Sequence, residues 1–380
     1  MAPLRILQVC SSLAWGGTEM HLPIVASRLK ERGHKVLAVC HPDGQICRET
    51  GKQGIRTDTL KLGGYVNPLE TARLIRLIRR EQPDILHLHL SRDLWQVIPA
   101  ARWSGHGRVI LTKHVGSYIN KHDPLHKWLY HRVDRVITVS DILRKNVIET
   151  CPIPPDRVIT IHHALDLKKY NPDAYDPAPV REELGLSQDD LVVGSVGRIS
   201  PGKGYEEFLN TAHRIVQKAG CGQVKFMIVG SASFGEEAYF ESIVALSKSL
   251  GLKRNVIFTG YRQDIPALLR SMDVFIFPSR AEGLGATLIE AMAMGVACVS
   301  TNSDGTQDII EDQVTGFTVD PQDDHAMADA TLRLLQDRNA RTRIAEMART
   351  KVMDKFDLEV MTDKIERVYD ESLTPTIDTR

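Results

Sequence analysis

Short Val/Ile/Leu-rich runs alternate with longer amphipathic stretches along almost the whole chain, and few folds accept that pattern. In the first half the runs are Leu4–Cys10, Lys35–Cys40, Asp84–Leu90, Val109–Thr112 and Arg135–Ser140. Apolar runs separated by amphipathic helices specify a parallel sheet covered on both faces. The alternation pauses at Tyr170–Pro179, a stretch rich in proline and aspartate that reads as a linker. It restarts with Leu191–Gly197, Val224–Val229, Asn255–Gly260, Met272–Pro278 and Val296–Ser300. The reading is α/β, two Rossmann-like domains in series, at residues 1–176 and 177–356. A final helix at about 357–373 carries Leu358, Met361, Ile365 and Val368 on one stripe. A chain of 380 residues is long enough for both domains to bury a core. Ligands bind at the carboxyl ends of strands, so both domains are expected to turn their loops into a shared cleft.

Several classes are disfavoured. No apolar run nears the length that spans a bilayer, and the first ten residues read as a strand, not a signal peptide. A cytoplasmic location is therefore expected. Without a C-x-x-C pair, a zinc or redox site of that kind is not expected. The net charge of +0 hides an asymmetry. Residues 1–176 hold 26 Lys+Arg against 17 Asp+Glu, and residues 177–380 hold 22 against 31. Either the first half meets an anionic surface or acceptor, or the two domains attract each other.

Three loops carry chemistry. Gly16-Gly17-Thr18-Glu19 follows the first strand and opens a helix, where backbone N–H groups can approach an anion. The same residues fit a plain tight turn. Gly197-Arg198-Ile199-Ser200-Pro201-Gly202-Lys203-Gly204 nearly spells a Walker A loop, but Gly204 stands where that motif needs Ser or Thr. Arg198 and Lys203 suit a diphosphate, one as a fork and the other as a point charge. The strongest signal is Glu282-Gly283-Leu284-Gly285-Ala286-Thr287-Leu288-Ile289-Glu290. Eight helical positions span roughly 12 Å, of the order of the distance from a nucleotide's ribose to its sugar. Two carboxylates at that spacing can grip hydroxyls at either end of a nucleotide sugar.

With these motifs the chain resembles glycosyltransferase family 4 of the GT-B fold over nearly its whole length. Gly16-Gly17-Thr18-Glu19 matches the family's N-terminal Gly-Gly-x-Glu loop. Arg198 and Lys203 match its diphosphate-binding cations, and Glu282 and Glu290 its two glutamates separated by seven residues. The resemblance implies that Glu290 holds the donor ribose, and that Gly283, Leu284 and Gly285 offer backbone amides to the donor sugar beside Glu282. It further implies that His114 contacts that sugar near the reacting carbon, and that the tail helix crosses back onto the N-terminal domain. One departure stands out: His162-His163-Ala164-Leu165-Asp166 replaces the common Asn-Gly-hydrophobic-Asp, keeping only the aspartate.

The implied reaction is retaining transfer from a nucleotide diphosphate sugar, with UDP favoured. Glu282 positions the sugar without acting as nucleophile, and no cofactor is expected. The chain contains no D-x-D, so a metal held that way is not expected, and Arg198 and Lys203 would stabilise the leaving diphosphate. Many relatives act on lipid-linked acceptors, so the acceptor is expected to be a glycan or lipid-linked glycan of lipopolysaccharide or exopolysaccharide synthesis, and nucleic acid is not an expected partner. Arg73, Arg76, Arg79 and Arg80, set among Leu74, Ile75, Leu77 and Ile78, could lie on an anionic membrane or simply face water. A nucleotide-sugar epimerase and a non-catalytic nucleotide-sugar-binding protein are the competing readings.

Overall fold

The structure is a computed structural model. It describes residues 2–15, 17–62, 67–117, 119–218, 223–233 and 235–374. The chain divides into two compact units, Met1–His163 with Glu359–Arg380, and Ala164–Leu358.

Unit 1 is built on β1 (Arg5–Cys10), β2 (Lys35–Cys40), β3 (Arg56–Thr59), β4 (Ile85–Leu88), β5 (Arg108–Lys113), β6 (Val133–Thr138) and β7 (Val158–Thr160). They form one sheet in the order β3-β2-β1-β4-β5-β6-β7, with every pair parallel. Unit 2 holds β8 (Leu191–Val196), β9 (Val224–Val229), β10 (Val256–Gly260), β11 (Val274–Phe277), β12 (Ala297–Thr301) and β13 (Phe317–Val319). Their order is β10-β9-β8-β11-β12-β13, again parallel throughout. Both are doubly wound sheets, the two Rossmann-like domains of the GT-B fold.

Successive residues of a strand point to opposite faces, and both faces here are covered. On β8, Val192 and Val196 join a core with Met227, Phe275 and Leu288, while Val193 joins another with Phe208, Phe226 and Ile276. This is why the runs read as continuous apolar stretches. The strands that the apolar pattern does not mark are β3, β7 and β13, all short and at or next to sheet edges. β3 reads Arg-Thr-Asp-Thr, which carries no hydrophobic signal at all.

The stretch 170–179 differs from the linker expected there. It belongs to unit 2, and the unit boundary falls at 163/164, ahead of residue 176. The physical reason lies in its tyrosines. Tyr170 and Tyr175 lean on the core of unit 2, and the Tyr175 hydroxyl donates to the Lys169 carbonyl at 3.0 Å.

The helix Leu358–Leu373 packs on unit 1. Its buried stripe is Leu358, Met361, Ile365, Val368 and Tyr369. Arg32 ties its outer face through Glu359, Asp363 and Glu366 at 2.5 to 2.6 Å, and Glu366 also meets His34 at 2.8 Å. Inside, the fully buried Tyr369 hydroxyl lies 2.6 Å from Nδ1 of His87 and accepts from the Gln8 amide at 3.4 Å. Tyr369→Phe keeps the ring but leaves His87 Nδ1 without a partner, which costs about 1–3 kcal/mol. Denaturant unfolding of the variant should show that loss, and an unchanged midpoint would mean the hydroxyl is dispensable.

Candidate active site

Strand order reverses beside β8 and β11 in unit 2, the place where open α/β sheets bind ligands. The loops 197–204 and 278–285 leave the carboxyl ends of these two strands. They meet because Gly204 has no side chain. Its φ is +76°, and a Cβ there would stand 2.0 Å from the Pro278 carbonyl oxygen. The Arg280 amide then donates to the Gly202 carbonyl at 2.9 Å. A third loop closes the stack from β12: the Gly305 amide donates to the Glu282 carbonyl at 3.1 Å, and the Ser303 hydroxyl to the Ser279 carbonyl at 2.9 Å.

On this stack Lys203 and Glu282 form an ion pair, and the Ser279 hydroxyl donates to the same Glu282 oxygen at 3.0 Å. Both side chains are partly buried, so the pair presents a cation already oriented by its acidic neighbour. Arg198 is different. Its side chain is 56% exposed and only grazes Glu236 at 4.0 Å, which leaves the guanidinium available to an incoming anion. Arg280, by contrast, is committed to Glu207 at 2.6 and 2.9 Å. Of the basic side chains described on these two loops, Lys203 and Arg280 are held by carboxylates within hydrogen-bond distance and Arg198 is not.

Gly285, at φ +102°, caps the helix Ala286–Ala293 and turns its first amides outward. That helix buries Leu288, Ile289, Ala291, Met292 and Ala293, leaving Thr287 and Glu290 one turn apart at partly buried positions. Burial pushes the Glu290 carboxyl up to about 7, against a hydrogen bond from Tyr170 that pulls the other way. A carboxyl in this setting is suited to ligand hydroxyls.

In unit 1 the corresponding reversal lies between β1 and β4. Gly17 opens the helix Gly17–Glu31, while Gly16 lies outside the described residues. Glu19 is buried and accepts from the Ser12 hydroxyl at 2.8 Å, tying the first turn of the helix to the residues just after β1. His114, just past β5, is buried; its Nδ1 lies 3.0 Å from Nε2 of His163, and burial holds the ring neutral. His21 and His89 lie against it with ring centroids 5.1 and 5.8 Å away. Sequence reasoning gave no role to His21, His89 or His163, nor to Ser279 and Tyr170. His163 stands in the segment that departs from the Asn-Gly pattern, and His89 alternates with His87 along the run Asp84–Leu90.

The four arginines of the helix Pro68–Glu81 are exposed, while Leu74, Leu77 and Ile78 are buried in the core of unit 1. Arg73 pairs with Glu70 at 2.8 Å, Arg80 with Asp58 at 3.2 Å, and Arg79 donates to the Trp103 carbonyl at 2.9 Å. No helix among the described residues is long and apolar enough to cross a membrane.

Residues 15–169 match Glycosyltransferase Family 4, and residues 178–351 match Glycosyl transferases group 1. The chain belongs to glycosyltransferase family 4. It is 26% identical over 305 residues to the UDP-Gal:alpha-D-GlcNAc-diphosphoundecaprenol alpha-1,3-galactosyltransferase of Escherichia coli, covering 78% of this chain and 77% of that one. It is 28% identical over 279 residues to an alpha-D-kanosaminyltransferase of Streptomyces kanamyceticus, covering 69% and 70%. A glycosyltransferase of Rickettsia africae superposes with a TM-score of 0.89 at 22% identity over 99% of this chain and 100% of that one. HepE of Anabaena, solved with UDP and glucose, gives 0.81 at 22% over 97% and 99%. This family 4 glycosyltransferase is thus an enzyme that uses a nucleotide sugar.

Gly204→Ala forces a Cβ into the Pro278 carbonyl and an unfavoured backbone angle together. Nucleotide-sugar affinity should fall at least tenfold by calorimetry. Gly251→Ala, at φ +73° with nothing within 4 Å, is the control for backbone strain alone and should leave affinity unchanged. Equal effects in the two variants would mean that the loop contact does not shape the site.

Proposed function

We propose that this enzyme transfers a sugar from a UDP-sugar, with retention and without a metal on the diphosphate, to a lipid-linked glycan of lipopolysaccharide or exopolysaccharide synthesis. The observation that carries the reading is the ion pair of Lys203, on the loop it shares with Arg198, with Glu282, on the neighbouring loop that ends in a helix start followed by Glu290. The two cations hold the diphosphate, and the helix-start amides face the sugar. Glu290 accepts from the ribose hydroxyls in place of Tyr170. As the glycosidic bond breaks, charge grows on the leaving diphosphate. Arg198 and Lys203 meet that charge preorganised, which is where such stabilisation is strongest. Glu282 orients Lys203 and the sugar and is not the nucleophile. His114, neutral and buried, acts on the transfer step.

The choice of UDP is supported by the E. coli relative, named for UDP-Gal, and by the HepE complexes with UDP and UDP-glucose. A lipid-linked acceptor is supported by the same E. coli name. It also suits the exposed arginines of the helix Pro68–Glu81, with Leu69 at its start 77% exposed. This face would rest on an anionic cytoplasmic leaflet, placing the enzyme as a peripheral protein in the cytoplasm.

Release of nucleotide from UDP-, GDP- and ADP-sugars in the presence of chelator tests the reaction. Slow release from a UDP-sugar is expected, lost in Glu290→Ala. Lys203→Ala and Glu290→Ala should each weaken donor binding at least tenfold in calorimetry, since a charged hydrogen bond contributes roughly 1.5–3 kcal/mol. His114→Ala should lower transfer more than binding. Unchanged affinity in the first two variants would remove the donor-site assignment.

Arg76→Glu with Arg79→Glu should release the protein from phosphatidylserine vesicles. Each basic residue near such a surface contributes about 1 kcal/mol, so a loss of at least tenfold is expected. A wild type that ignores these vesicles would end the membrane proposal.

A further inference from the structure

Unit 1 buries a group of histidines that the transfer reaction does not use as a group. His21 stands on the helix Gly17–Glu31, His89 one residue past β4, and His114 one residue past β5. They are 7%, 1% and 6% exposed. One ring nitrogen of each lies within 4.8 Å of one ring nitrogen of each of the others. Each ring also keeps a buried nitrogen with no hydrogen-bond partner: Nδ1 of His21, Nδ1 of His89 and Nε2 of His114. A single buried polar atom left in that state costs about 1–3 kcal/mol. Three rings this close together, each keeping such a nitrogen, call for a common partner.

We propose that His21, His89 and His114 form a binding site for a divalent transition metal of the Zn2+ class.

The chemistry of the donors fits. Metal-binding imidazoles must be neutral, and burial together with mutual repulsion holds all three well below the ordinary histidine value. The tautomer of His89 is set from outside. The Gln8 carbonyl oxygen, 2.6 Å from Nε2, can only accept, so Nε2 carries the proton and Nδ1 offers its lone pair. A metal-binding histidine is oriented by such a bond on its other nitrogen. Nδ1 of His114 lies 3.0 Å from Nε2 of His163; with His114 Nδ1 donating in that bond, its Nε2 offers the lone pair, and the His163 ring stacks on His21 at 4.5 Å. Zn–N bonds of about 2.0–2.1 Å in a tetrahedron place ligand nitrogens roughly 3.4 Å apart, so the rings close by at most about 1.4 Å. Three imidazoles leave the fourth position open to water or an anionic oxygen. Nitrogen-only ligation favours Zn2+, Co2+, Ni2+ and Cu2+ over the oxygen-seeking Mg2+ and Ca2+.

The site engages Nε2 of His114, so a bound metal and a working His114 exclude each other, and Zn2+ should inhibit transfer. This consequence rests on the role proposed for His114, whereas the metal site does not.

The test is a titration of the full, chelator-treated protein with Co2+, read by its visible ligand-field absorption. One Co2+ per chain at micromolar concentration is expected, with an intense tetrahedral band that Zn2+ displaces and millimolar Mg2+ does not. His21→Gln and His89→Gln should each weaken binding at least tenfold, and His126→Gln, at a partly exposed histidine of another helix, should not. Absence of the band, or unchanged affinity in the first two variants, overturns the site. If those substitutions unfold the chain, the imidazole 15N resonances of the wild type decide: ligation shifts the unprotonated nitrogens of these three rings on Zn2+ addition, and their constancy overturns the proposal. Metal binding without inhibition of transfer leaves the site standing and removes His114 from the transfer step.

Discussion

The approach of Gly204 to the Pro278 carbonyl sets the geometry on which the loops at the β8–β11 switch point depend. Loops from two different strands can touch backbone to backbone only where no side chain intervenes. Once they touch, Lys203 comes within reach of Glu282, and Ser279 is turned to support the same carboxylate. The third loop, through Ser303 and Gly305, fixes the far side of the stack. None of these contacts has a large energy alone. Together they hold a lysine at a fixed point on the loop stack, the preorganisation that the proposed stabilisation of a departing diphosphate calls for.

Near their strand ends the two units treat buried polar groups differently. Unit 2 pairs its polar side chains: Lys203 with Glu282, Arg280 with Glu207, Tyr170 with Glu290. Unit 1 instead gathers His21, His87, His89, His114 and His163 and keeps them neutral, with His87 lowered to about 3 and His163 to about 4 by burial. His87 is the satisfied member, placed between Tyr369 and Thr112 at 2.6 and 2.7 Å. Its role is structural, linking the C-terminal helix to the sheet. The unsatisfied nitrogens belong to its neighbours, nearer the carboxyl ends of the strands.

Most of the fold was legible because burial on both sheet faces leaves a continuous apolar mark. Lys35–Cys40 and Val224–Val229 were read to the residue. β3 escaped because the edge strand Arg-Thr-Asp-Thr buries none of its residues and has no apolar one. The segment 170–179 was misread because proline and aspartate signal a break in regular structure, and the anchoring of Tyr170 and Tyr175 is tertiary. The loops 197–204 and 278–285 stand out in the sequence because glycine, cation and carboxylate sit at short, fixed spacing. The histidine group was not. Its members come from a helix and from the ends of two strands, at positions 21, 89 and 114, so no local spacing reveals them.

The charge asymmetry takes a physical form once the side chains are placed. Much of the excess positive charge of the first half stands on the surface of unit 1, and the arginines of the helix Pro68–Glu81 are partly answered by Glu70 and Asp58. The apolar residues of that helix are spent on the core, so any hold on a membrane must come from charge and from Leu69, not from a buried stripe. Electrostatic attachment of this kind is reversible and salt-sensitive.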